Sequence, residues 1–119
     1  MTNKIKLEKY QTESINPNDV SKTLKTEIDE KQLVVLALNN IGQQTNGQFK
    51  IDPTDLIDLY DVLKTKGPEY GFEKASFANL KKIVGSYNFG TGEALNRAKQ
   101  KLLSKIGEAE KEKPKEESK

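Results

Sequence analysis

Hydrophobic positions along this chain recur mostly at helical spacing, and three of the apolar runs are preceded by helix-start signals. The stretch IDPTDL, residues 51–56, carries the fullest set. Asp52 supplies an N-cap acceptor, Pro53 suits the first helical position, and Asp55 complements the helix dipole. Ile51 and Leu56 occupy the two positions of a hydrophobic staple. INPNDV (15–20) repeats these features with Ile15, Asn16, Pro17, Asp19 and Val20. IDEKQL (28–33) gives a capping box from Asp29 and Gln32, with Ile28 and Leu33 as staple. Unequal spacing and unrelated flanks make these separate helix starts rather than structural repeats.

The pattern predicts five helices. The first covers 17–26, with Val20, Leu24 and Ile28 on one side. The second covers 30–41 and ends at Gly42. Its LVVLAL core is apolar all round, which predicts the buried central helix. Val34 and Val35 also suit a strand, but the capping box and the following glycine favour a helix. The third covers 53–66, with a stripe of Leu56, Leu59, Tyr60 and Leu63, stopped by Gly67-Pro68. The fourth starts between Glu73 and Ser76 and ends near Val84, with Phe77, Leu80, Ile83, Val84 and Tyr87 inside. The fifth starts near Gly92 behind a Thr91 cap and continues past Leu103, with Leu95, Ala98, Leu102, Ile106 and Ala109 on one side. Residues 1–14 read as a flexible polar segment, 15–107 as an all-α domain, and 108–119 as a disordered charged tail. Tyr70, Phe72 and Phe89, in predicted loops, read as core plugs ahead of interface hot spots, and Ile57 as an exposed anchor.

Composition narrows the chemistry. The 119 residues include no Cys, no His and no Trp. Disulfides, Cys-based zinc sites and the commonest general base are thereby excluded. The first fourteen residues lack the apolar core of a secretory signal, and no run matches the roughly twenty apolar residues of a membrane span. The expectation is a soluble cytoplasmic chain with no membrane partner. Net charge is only +2, yet the middle of the chain is acidic and residues 64–105 are strongly basic. Segregated basic charge attracts phosphates even when total charge is small.

Three candidate sites follow. The glycine-rich loop GSYNFGTGE (85–93) lacks the lysine of a phosphate-binding loop and follows a helix rather than a strand, so no nucleotide cofactor is expected. Asp52, Asp55, Asp58 and Asp61 line a polar helix face without a calcium-loop pattern. They read as a solvated acidic face rather than a metal site. The basic segment is the stronger lead. Asn79, Lys82 and Ser86, with Lys81 at the margin, lie away from the apolar stripe of the fourth helix. Small Ala78 and Gly85 on that surface would let the helix approach a groove closely. Arg97, Lys101 and Lys105 form a ridge at four-residue spacing on the fifth. Lysine contacts phosphates, and asparagine pairs with adenine edges. The expected function is non-catalytic DNA or RNA binding, with the third and fourth helices in a helix-turn-helix-like arrangement despite a connection longer than usual. The rival expectation is a protein-interaction or assembly subunit with no nucleic-acid affinity. A homodimer or a larger complex is compatible with either. No nucleophile and base stand at a diagnostic spacing, so the chain reads as a non-enzyme.

Overall fold

Period-two alternation, not helical spacing, governs much of the first thirty residues. The computed structural model describes residues 2–111. In the run KIKLE (4–8), Ile5 and Leu7 are buried while Lys4, Lys6 and Glu8 are exposed. That alternation makes strand β1 (Thr2–Lys6). Strand β2 (Lys9–Ile15) follows, then a turn, then strand β3 (Thr23–Asp29). Helices α1 (Glu30–Gln44) and α2 (Pro53–Leu63) come next. Strand β4 (Glu69–Glu73) precedes helices α3 (Lys74–Ser86) and α4 (Glu93–Lys111).

The described residues therefore build a mixed α/β fold: four helices and two small antiparallel sheets, not the expected all-α bundle of five helices. The first predicted helix is replaced by a turn and β3. Here Asn16 and Asp19 spend their side chains on the turn itself. The Asn16 Oδ1 accepts from the Asn18 N–H at 2.9 Å, and the Asp19 Oδ1 accepts from Ser21 N–H and Oγ. Such Asx turns compete directly with helix capping. Thr23, Thr26 and Ile28 are β-branched and suit the strand that follows. The helix-turn-helix-like arrangement fails for a related reason. The α2–α3 connection contains β4, whose Tyr70 and Phe72 point inward while Glu69, Gly71 and Glu73 point out. Residues 108–111 continue α4, and the rest of the expected tail lies outside the described residues.

β1 pairs with β4, from Thr2↔Glu73 to Lys6↔Glu69. The ladder continues with the Leu7 N–H donating to the Pro68 carbonyl at 2.9 Å, just after the cis Gly67–Pro68 bond. Gly67 lies against the hydroxyl end of Tyr70, where an added Cβ would overlap the phenol. β2 pairs with β3, from Lys9↔Asp29 to Ile15↔Thr23. Beyond both ends, Asn16 N–H donates to the Lys22 carbonyl and Glu30 N–H to the Glu8 carbonyl. Antiparallel pairs alternate between bonded and unbonded. The even-numbered residues therefore bond across the hairpin, and the odd-numbered ones turn their backbone groups to its outer edges.

The two caps that do start helices behave as expected. Asp29 accepts from Gln32 N–H and Asp52 from Thr54 N–H, with Pro53 in the first turn. The core gathers Val34, Ala37 and Ile41 of α1, Leu59 of α2, Phe72 of β4, Leu80 and Ile83 of α3, and Leu102 and Ile106 of α4. α1 is central but not covered on every side, because Leu36 stays 42% exposed. The expected core plugs Tyr70, Phe72 and Phe89 are buried, the first two on a strand.

Candidate interaction surface

α4 organises the charged residues by its two flanks. At about 100° per residue, Arg97, Lys101 and Lys105 share one flank, and Lys99, Leu103 and Glu110 the other. The first flank meets the β2–β3 hairpin. Glu93 Oε1 accepts the outward Ile15 N–H at 2.7 Å, and its Oε2 accepts from Arg97 Nε at 2.7 Å. These two donors, the backbone N–H first, hold the Glu93 carboxyl below the ordinary glutamate value. One helical turn on, the Lys101 ammonium lies 3.8 Å from the centre of the Tyr10 ring. Another turn on, Lys105 Nζ donates to Glu8 Oε1 and the Lys6 carbonyl, each at 3.0 Å, and to Glu30 Oε1. Glu93, Lys101 and Lys105 thus form a seam between α4, the hairpin and the residues that flank it, while Arg97 of the predicted ridge pairs with Glu93 on α4 itself.

Glu30 is the most unusual member of that seam. It is a carboxylate with no exposed surface, at the first residue of α1. Its Oε1 also accepts the Glu8 N–H at 2.9 Å, whereas its Oε2 is buried with no partner among the described residues. Burial pulls the Lys105 ammonium down, but hydrogen bonds and charge from Glu30 and Glu8 outweigh it, and the group sits above the ordinary lysine value. The same hydrogen bond from Lys105 lowers the Glu8 carboxyl. Burial first, then the Glu30 charge, raises the Tyr10 phenol.

The second flank meets α3. Lys99 Nζ donates to the Tyr87 carbonyl at 2.8 Å, and Lys81 pairs with Glu110 at 2.8 Å. Lys82 and Ser86 are exposed and Asn79 is half-buried. The α3 set (Asn79, Lys81, Lys82, Ser86) and the α4 ridge (Arg97, Lys101, Lys105) therefore lie on opposite sides of α4 and are not brought onto one face. The four aspartates from 52 to 61 are exposed on and beside α2. Among the described residues, no cluster of three or more potential metal ligands forms. No helix among them is long and apolar enough to cross a membrane. An open hollow of ≈ 480 Å³ lies between α1 and residues 49–56, and Lys50 is the one ionisable group in its lining.

Sequence reasoning missed the distal end of the hairpin. Residues 17–25 are all exposed. Among the described residues, five large hydrophobics are exposed, and three are here: Ile15 at 62%, Val20 at 81% and Leu24 at 47%. The other two are Leu36 and the expected anchor Ile57. Helical spacing assigned Val20 and Leu24 to an interior face. The alternation of Tyr10, Thr12 and Ser14 with Lys9, Gln11 and Glu13 was the signal that places them on a ribbon instead. No protein-family model, no curated protein and no solved structure matches this chain.

Proposed function

We propose that this protein is a non-catalytic assembly subunit that engages another protein chain through its β2–β3 hairpin, without affinity for nucleic acid. One observation carries the reading: the side chains of Ile15, Val20 and Leu24 stand in solvent at the turn end of a hairpin whose β2 strand is held to α4 at both Tyr10 and Ile15. Large apolar side chains concentrated on an exposed element favour a protein partner. The charge distribution supports it, because Lys81, Arg97, Lys101 and Lys105 already have intramolecular partners. Such cations are poorly placed to release counterions from a polyanion.

A nucleic-acid reading has one observation in its favour. Lys4 and Lys6 of β1 join Lys105 around a shallow pocket of ≈ 190 Å³, against a single Glu108. Fluorescence anisotropy with labelled DNA and RNA, titrated through about 0.15 M salt, separates the two. The assembly reading expects no binding. Salt-dependent binding that weakens in the Lys4→Ala, Lys6→Ala, Lys82→Ala variant would overturn it in favour of the nucleic-acid reading.

A further inference from the structure

We propose that the partner is a second copy of this chain, joined edge to edge through β3 in one antiparallel register centred on Thr26. The proposal rests on the assembly reading and names its partner. β3 has β2 on one side and no strand on the other among the described residues. Thr23, Lys25 and Glu27 turn their backbone groups to that empty edge, as the alternation of the hairpin ladder requires. The opposite edge of the ribbon is already engaged, because α4 holds the Ile15 N–H through Glu93. An unpaired strand edge is a template for another strand.

The sequence of β3, TLKTEID, is complementary to itself in charge. Pairing about Thr26 sets Lys25 of each chain opposite Glu27 of the other, on the solvent face of the sheet. It sets Leu24 of each opposite Ile28 of the other, on the face that carries Tyr10, so the half-exposed Leu24 loses solvent contact. Only registers that match odd residues with odd residues bring two outward-facing sets of backbone groups together. The two nearest such alternatives are centred on Lys25 or on Glu27. The first sets Lys25 against itself; the second sets Glu27 against itself and leaves Lys25 to face Asp29, whose carboxylate is already engaged as the α1 N-cap and with Lys9. Opposite charges directly across a strand pair stabilise it, and like charges destabilise it. The result is a four-stranded sheet, β2-β3-β3-β2, with closed twofold symmetry.

The test is sedimentation velocity on the full chain up to several hundred micromolar, as an interface this small demands. The wild type is expected to shift from one chain to two with rising concentration. Lys25→Glu alone, or Glu27→Lys alone, places like charges at both symmetric contacts and should weaken the dimer by about tenfold or more. Mixing the two single variants should restore a heterodimer, since both contacts across that pair again set a carboxylate against an ammonium. The double variant K25E/E27K should restore the homodimer. Circular dichroism checks that each single variant is folded, and restoration on mixing requires it. A wild type that stays monomeric throughout overturns the proposal, as do single variants that dimerise normally or a mixture that does not recover. A monomeric chain that also ignores nucleic acid leaves the assembly reading standing with a different partner. Nucleic-acid binding defeats that reading whatever the mass.

Discussion

Replacing Lys105 by methionine should be among the most damaging single changes to this fold. Methionine keeps most of the aliphatic stem of Lys105 and removes the ammonium. That strips Glu30, which has no exposed surface, of its paired cation, and strips Glu8 of the same partner. Breaking a buried ion pair from one side costs about 3–5 kcal/mol, because a charge is left in a poor solvent. Lys105 keeps 19% of its side chain exposed, so water screens part of the interaction and the lower end of that range, about 3 kcal/mol, applies. A domain of this size is typically stable by only about 5–15 kcal/mol. At roughly 4 °C per kcal/mol, the thermal midpoint should fall by about 12 °C. The assay is thermal and urea unfolding of wild type, Lys105→Met, Glu30→Gln and the double variant. The double variant should recover much of the loss, since no charge is then stranded at the Glu30 position. A Lys105→Met variant within about 1 kcal/mol of wild type would refute the account of Glu30 as a buried charge that depends on this lysine.

Three further outcomes are expected. Stability should fall at both ends of the pH scale. Glu8 titrates below its ordinary 4.5 in the folded state, so its contribution is present above pH 4.5 and lost as pH falls through the folded value. Lys105 titrates above its ordinary 10.5, so its contribution is present below pH 10.5 and lost as pH rises through the folded value; unfolding midpoints against pH should show both limbs, flattened in Lys105→Met. Gly67→Ala should cost about 1–3 kcal/mol in urea unfolding, because the methyl group overlaps the Tyr70 side chain and one of them must move, while Gly42→Ala, inside α1 with open space around it, should stabilise by about 0.5–1 kcal/mol. Glu93→Ala should speed hydrogen exchange at the Ile15 amide, read by NMR, with the β1–β4 amides unchanged, because Glu93 Oε1 is the acceptor for that N–H.

Later parts of the chain were legible because local and global signals agree there. Phe77, Leu80, Ile83 and Val84 recur at helical spacing and are buried at that spacing. Asp29 and Asp52 cap what their sequences say they should cap. The N-terminal third misled for a definable reason. INPNDV has the residues of a helix start, but the same Asn and Asp side chains close a tight turn equally well locally. What decides between them is the pairing of β3 with β2, a contact invisible to a single-segment reading. KIKLE and EYGFE did carry period-two alternation, yet each is short, and each is a strand only because the other is there. The fate of the basic ridge was hidden for the same cause. Spacing puts Arg97, Lys101 and Lys105 on one side of a helix, and only the folded chain shows Arg97 paired with Glu93, Lys101 set over Tyr10, and Lys105 paired with Glu8 and Glu30.

The union of β1 with β4 has a consequence for the order in which the protein can be made. The two strands are separated by more than half the chain. As synthesis proceeds, the β2–β3 ribbon and α1 can close from nearby segments. Ile5 and Leu7 must wait, without cover, until Tyr70 and Phe72 leave the ribosome. β1 therefore stays unpaired longer than the ribbon or α1, and that interval is when its apolar side chains are most exposed to unwanted association.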